Sequence, residues 1–331
     1  MPAPASEPPR RAATRGAGAP PTHGGSTRDR RLAEGGVLIA VLVWSANFVV
    51  VKAAIGELGP LTFTAARFVV ATLTLFLLVR LRMGAIRRPA GLTLPLLAMG
   101  MLGFGGYQVV WTLGLTQITA GNSAMLVAAS PVLTALLAGA VGMDRLTPPK
   151  LVGALIAFAG VAVVIAGGHG LALEPSLAGE ALTLLAAVLW AIYTVAGTRL
   201  LRSVDPLQAT AWALLGGTIV LVPLGLWEVL ASPPVVVTLP AVIAVLYAGS
   251  FAAGTANVLV FNAVRHIGPT RASASQLLVP VGAVLLGALF LSEAIRPAQV
   301  AGGAVIILGV YLTRRPRVVP AGVRTRLRVR A

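Results

Sequence analysis

The side chains best suited to holding a small molecule recur in pairs. Trp44 and Trp190 stand 146 positions apart, and so do Asn47 and Tyr193. In each case an aromatic ring precedes a hydrogen-bonding side chain by three residues, a spacing that puts both on one helix face. Gln108 and Asn257 form a further pair, 149 positions apart. An aromatic wall with a few fixed polar groups suits a small polar or amphipathic ligand. The same residues would otherwise belt a membrane interface or tie helices together. A buried amide must do one or the other, because leaving it unbonded in an apolar medium is costly. Tyr107, Trp111 and Gln276 extend the candidate set.

Charge is scarce where these residues lie. Arg67 is the one charge clearly inside an apolar run, roughly 9 Å along its helix at 1.5 Å per residue. It either meets an anionic ligand group, caps carbonyls of neighbouring helices or snorkels outward. Lys52 is nearer a run's end, where snorkelling is expected. The ten acids all map to tails, loops or end turns. A mid-span carboxylate for proton coupling is therefore not expected. Glu180, a turn inside its helix, reads as an acid favoured by the N-terminal dipole. None of the three histidines is at mid-span. The chain has no cysteine, which excludes disulfides and thiolate chemistry. It has no G-x-x-x-x-G-K-[ST] and no H-E-x-x-H, so ATP is not its direct driver, and neither a metal nor a cofactor is expected.

The elements that must position these residues are apolar helices. Apolar types make up 57% of the 331 residues and charged types 11%, against roughly 25% charged in a soluble domain. Ten apolar runs follow one another at about 35–54, 61–79, 93–114, 119–142, 150–167, 178–200, 206–228, 239–262, 270–292 and 298–313. Most have the ~20-residue length that crosses a bilayer. Backbone groups in lipid need partners within their own segment, so the runs are read as helices. The expected class is an all-α integral membrane protein whose surroundings are the lipid bilayer. Residues 1–32 and 314–331 read as basic tails, the first disordered.

There are 26 basic residues against 10 acidic ones, a net charge of +16. In a soluble protein that would suggest nucleic acid. Here 23 of the 26 fall in segments facing one side of a ten-span chain: both tails and the links at Arg80–Arg88, Arg145–Lys150, Arg199–Arg202 and Arg265–Arg271. The positive-inside rule makes that side the cytosol, so both termini are expected there. No nucleic acid and no obligate protein partner are expected.

The halves match each other. Pro60 and Pro206, and Thr64 and Thr210, share the offset of 146. Later the offset is 149, for Pro131 and Pro280, Asp144 and Glu293, Gly153 and Gly302, and Gly160 and Gly309. Five helices per copy is an odd number, so the second copy enters the membrane from the opposite face. Such inverted repeats are a recurring architecture of secondary transporters. Pro131 and Pro280 should kink the fourth helix of each copy. The paired glycines should let the fifth and tenth helices pack closely.

The sequence resembles the EamA-type carriers of the drug/metabolite transporter superfamily. The resemblance rests on Trp44-Ser45-Ala46-Asn47-Phe48 with Lys52, on Pro60 and Arg67, on Ala120-Gly121-Asn122-Ser123-Ala124, Ser130-Pro131 and Asp144-Arg145-Leu146, and on Ala263-Val264-Arg265, Pro280 and Ser292-Glu293. It covers about residues 36–313 and implies two five-helix repeats, 33–167 and 178–313, with a central cavity between them. It implies an inner-membrane carrier, often an exporter, of amino acids or other small metabolites. The alternative from another class is an integral membrane enzyme acting on lipid-linked substrates, but the clustered carboxylates such chemistry uses are missing.

Overall fold

The computed structural model describes residues 27–143, 146–169, 175–200, 204–232, 236–267 and 275–313. The expected tails over 1–26 and 314–331 lie outside the described residues, as do Asp144, Arg145, Glu174, Arg202 and Arg271. Among the described residues the chain is helical, without strands. In chain order the helices are α1 (Thr27–Leu58), α2 (Pro60–Met83), α3 (Thr93–Gln117), α4 (Ala120–Ala140), α5 (Pro148–His169), α6 (Pro175–Leu200) and α7 (Pro206–Ala231). Then come α8, which runs through Leu239–Tyr247, Ala248–Thr255 and Ala256–Ile267, α9 (Gln276–Leu291) and α10 (Pro297–Thr313). Eight helices among the described residues are long and apolar enough to cross a membrane; α9 and α10 are shorter apolar helices. The expectation of ten full-length runs thus holds for eight. Helix α1 starts at Thr27, inside the segment 1–32 read as a disordered tail.

Four helices are interrupted. Wide π-type turns occupy Met101–Gly106 in α3 and Ala248–Thr255 in α8. Helix α4 breaks at Ala128–Ala129, just before Pro131, and α9 opens with a 3₁₀ turn over Gln276–Leu278, just before Pro280. Both prolines sit in the first turn after the interruption, where their missing N–H costs no helical bond. The expected kinks are therefore breaks with Pro on the restart side.

The helices of the first half pack mainly on those of the second. Helix α1 lies against α8 and α9, α6 against α3 and α4, α2 along α7, and α5 along α10. Small residues allow these approaches. A Cβ on Gly153 would meet the Gly309 carbonyl at 2.7 Å, and one on Gly160 would meet the Gly302 carbonyl at 2.7 Å. As the number rises on α5 it falls on α10, so the two run antiparallel. Helices α2 and α7 are antiparallel too: Ala65 faces Gly225, and Thr72 Oγ1 lies 2.8 Å from Thr218 Oγ1. Large apolar side chains point outward, among them Leu73 at 65% exposure and Leu289 at 72%. A surface of that kind is suited to lipid rather than water.

Helix ends carry the acids. Asp205 Oδ1 accepts from the Leu207 and Gln208 N–H groups at the start of α7. Glu228 on α7 accepts from the N–H and hydroxyl of Thr62, both at 2.7 Å, and so caps α2 from the other half. Its carboxylate fills the space where Gly59 (φ +81°) would carry a side chain, and only glycine suits that tight α1–α2 turn.

The α5–α10 contact generates a stability prediction. Gly160→Leu and Gly309→Leu should each lower the detergent melting temperature by ~3–10 °C, from over-packing of about 1–3 kcal/mol. Gly35→Ala, which meets nothing within 4 Å, should leave it unchanged. Equal melting temperatures for all three would mean that the glycine contact contributes nothing.

Candidate functional site

The four helix interruptions surround one cavity of about 270 Å³. Its wall includes Phe104, Tyr107 and Gln108 beside the α3 wide turn, and Ala252, Ala253 and Asn257 beside that of α8. The breaks contribute Val127, Ala128 and Pro131 from α4 and Gln276, Val279 and Pro280 from α9. Helix α1 adds Trp44 and Asn47, α2 adds Arg67 and Phe68, and α6 adds Trp190. The volume is near the small end of the range for small-molecule sites, about 300–1,000 Å³.

Several polar side chains in or beside this wall also serve the backbone. Trp44 Nε1 donates to the Ala252 carbonyl at 2.9 Å, and Asn257 Nδ2 to the Ala253 carbonyl at 2.8 Å. Ser45 Oγ donates to the Val279 carbonyl at 3.1 Å. Aromatic rings give the wall its shape. Trp190 lies 5.3 Å from Tyr107 and 5.9 Å from Phe104, and Trp111 meets Phe48 edge-on at 5.5 Å.

Arg67 is the charged member. It is 2% exposed, and its guanidinium lies 5.2 Å from the Phe68 ring centre, 5.5 Å from Trp111 and 5.7 Å from Phe63. One terminal nitrogen donates to Gln108 Oε1. An arginine at a helix centre costs about 2.5–3.5 kcal/mol on insertion scales. Ring contacts of ~0.5–2 kcal/mol each offset part of that. Arg67 therefore neither snorkels nor caps a neighbour's carbonyls among the bonds the described residues make.

At the end of the bundle where α3 meets α4 lies a second, more polar cavity of about 290 Å³, lined in part by Lys52, Asn122, Glu293 and Gln299. Lys52 does not snorkel either. Its Nζ donates to the carbonyls of Leu115 at 2.6 Å, Thr116 at 3.2 Å and Ile118 at 2.8 Å, closing the C-terminus of α3. Glu293 accepts from the Ala120 and Gly121 N–H groups at 2.8 and 3.3 Å, closing the N-terminus of α4. A cation from α1 and an anion from beyond α9 thus grip the two sides of one hairpin. One buried apolar cluster joins the two regions: it holds Phe48 and Trp111 of the central wall, Leu115 and Ala120 of the hairpin, and Phe63 and Ile55.

Of the six paired candidates, Trp44, Asn47, Gln108, Trp190 and Asn257 border the central cavity. Tyr193 does not; it stands behind the wall, 5.1 Å from both Trp190 and Phe104. The other candidates, Arg67, Tyr107, Trp111 and Gln276, border it as well. Sequence reasoning missed Phe104: it is an apolar ring within an apolar run, and its counterpart 149 positions on is Ala253, so no repeat signal marked it. Glu180 is more than an end-turn acid: at 1% exposure it is enclosed in protein on α6, although it does not line the cavity.

Comparison with known proteins gives a consistent result. The profile described as "EamA-like transporter family" matches residues 32–166 and again 177–315. A protein of Streptantibioticus cattleyicolor named "Probable terminal-alkyne amino-acid exporter" is 29% identical over 283 residues, which is 84% of this chain and 92% of that protein. An "Uncharacterized transporter" of Archaeoglobus fulgidus is 30% identical over 282 residues, 83% of this chain and 94% of that one. A solved crystal structure covers 85% of this chain and 96% of its own, with a TM-score of 0.62 at 23% identity, and so is similar in fold.

The natural absence of cysteine makes the cavity directly testable. Single cysteines at Asn47 and Asn257 should react with a small charged methanethiosulfonate in detergent-free membranes. Cysteines at Leu73 and Leu289, on the outward faces, should not. The opposite pattern would show that the cavity is not reached by water.

Proposed function

The chain belongs to the EamA-like transporter family and is a multi-pass membrane protein, and from that premise we propose that it is a secondary transporter exporting small polar or amphipathic metabolites such as amino acids. The observation that carries this reading is the central cavity between the halves, walled by interrupted helices from both. Discontinuous helices at a shared central site are what alternating access uses. The export direction draws on the relative named as an amino-acid exporter.

In this reading the halves are inverted five-helix repeats that rock about the cavity. Support comes from the antiparallel pairs. Thr72 and Thr218, which touch, are 146 positions apart and so hold the same place in each copy. Gly153 meets Gly309 while its counterpart Gly302 meets Gly160. Gly100 lies against the Ala213 carbonyl, and its counterpart Gly249 lies against the carbonyl of Arg67, the counterpart of Ala213. Reciprocal contacts of this kind are the mark of a two-fold relation. Helices α9 and α10 also cross the membrane in this reading; α10, with 17 residues, rises about 25 Å, at the lower limit for a span. The basic bias puts both termini in the cytosol and the Lys52–Glu293 grip at the outer end. In this reading the carrier is closed toward the outside.

The decisive experiment is counterflow of radiolabelled amino acids in proteoliposomes; a purified, folded protein that moves none of a broad panel of small solutes would overturn the reading. Two further outcomes are expected. An alkaline-phosphatase fusion at Arg317 should be inactive, and an active one would reverse the topology. Glu180→Gln should keep flux within about two-fold of the parent, because no carboxylate among the described residues lines the cavity. Abolished flux in a folded Glu180→Gln variant would instead make that carboxyl group part of the transport cycle.

A further inference from the structure

Two polar atoms in the cavity wall are buried without a hydrogen-bond partner. One is the Nε of Arg67, a donor, and the other is the Oδ1 of Asn47, an acceptor. Burial without a partner is costly for both, and each such atom in a folded protein calls for an explanation. A polar group of a solute in the cavity supplies one. We propose that Arg67 is the anion subsite of the cavity, that the solute docks a carboxylate on its guanidinium, and that Asn47 Oδ1 receives a donor on the same solute, an ammonium in the simplest case. This deepens the transporter reading above and rests on it.

The geometry around Arg67 favours this over a purely structural role. Its charge is surrounded by Phe63, Phe68 and Trp111, whose ring faces attract a cation but offer no lone pairs in the guanidinium plane. Its hydrogen bond to Gln108 Oε1 satisfies one terminal nitrogen with a neutral acceptor. The guanidinium fork is built for two parallel bonds to a planar carboxylate. No carboxylate of the described protein residues lines the cavity to provide them. Gln108 holds the place of one solute oxygen, and the enclosed Nε–H meets the other when the Arg67 side chain turns toward the solute.

Arg67 is the one cation among the lining residues, so one anionic group of the solute is matched there. A phosphate dianion would bring a second negative charge with no cation to face it, whereas the ammonium of an amino acid faces an amide oxygen and an indole ring. At the other end of the solute, Asn47 lies three residues from Trp44 on the same helix face, and Trp44 lines the same cavity. An amide oxygen beside an indole suits an ammonium, which gains both a hydrogen bond and a cation–π contact.

The test separates binding from transport. Leucine, phenylalanine and glutamine are each compared with the matching amide, decarboxylated amine and deaminated acid. Thermal stabilisation of the purified protein reads binding, and proteoliposome counterflow reads transport. At least one amino acid and its deaminated acid should stabilise the protein, while the amide and amine should bind at least ten-fold more weakly. Arg67→Gln, which removes a buried charge, should fold and should lose the carboxylate-dependent stabilisation; Arg67→Lys should retain part of it. Asn47→Leu should weaken binding of the amino acid and spare the deaminated acid. Equal binding of amine and acid, unchanged carboxylate binding in Arg67→Gln, or no stabilisation by any member overturns the subsite. Carboxylate binding lost in Arg67→Gln, without flux of any solute in the parent, upholds the subsite and overturns the transporter reading. Flux indifferent to the carboxylate does the reverse.

Discussion

The structure depends on one constraint: a backbone N–H or C=O at membrane depth must find its partner inside the protein. Continuous helices meet it automatically. Interrupted helices do not, so an interruption is tolerated only where other side chains take up the freed groups. All four interruptions here face the same cavity, and polar residues in or beside its wall take up backbone carbonyls. Trp44 and Asn257 bond carbonyls within the α8 wide turn, Thr255 bonds the Ser250 carbonyl, and Ser45 bonds that of Val279 at the α9 restart. The polar groups that make the chamber habitable for a solute are thus in part the groups that make the broken helices possible.

The same constraint places the charges. Helix ends expose unpaired N–H and C=O groups, and Asp205, Glu228, Glu293 and Lys52 are spent on them. Glu228 and Glu293 cap α2 and α4 from the opposite half, and Lys52 closes α3. The two glutamate caps cross between halves, so they record one relative position of those halves. If they rock, these are contacts that must open, and near the membrane surface water can replace them at little cost. Arg67 has no such role. It is held in the interior by aromatic rings and an amide.

Much of this was legible in the sequence because helix period and repeat offset both act on residue type. The run boundaries at 93–114, 119–142 and 239–262 fall within a few residues of the observed helices, since apolar length is what lipid selects. The pairs Trp44/Trp190 and Gln108/Asn257 reached the cavity because equivalent positions in two copies face a common centre. What was not legible depends on three-dimensional neighbours. Tyr193 shares the helix-face logic of Asn47, yet a Cβ on Gly103 would fall 2.1 Å from its ring, and Phe104 takes the place in front. Lys52 looked like a snorkelling cation until the α3 carbonyls came within reach of it. The wide turn of α3 lies in a glycine-containing stretch, Met101–Gly106, but glycine alone does not specify a π turn.

The halves meet at several matched positions, but the chemistry of the chamber between them is not matched. The first half supplies Arg67, Phe68, Phe104, Tyr107 and Trp111 to the wall. The corresponding second-half residues are Ala213, Leu214, Ala253, Ala256 and Val260. Large side chains on one side are matched by smaller ones on the other, and the difference in volume is what leaves room for a ligand. It also divides the labour. Matched glycines and threonines at Gly153/Gly302, Gly160/Gly309 and Thr72/Thr218 bring the halves together as like against like. A charge repeated at both Arg67 and Ala213 would put two cations across one small low-dielectric chamber, where their repulsion is least screened. A single cation, carried by one half alone, avoids that repulsion.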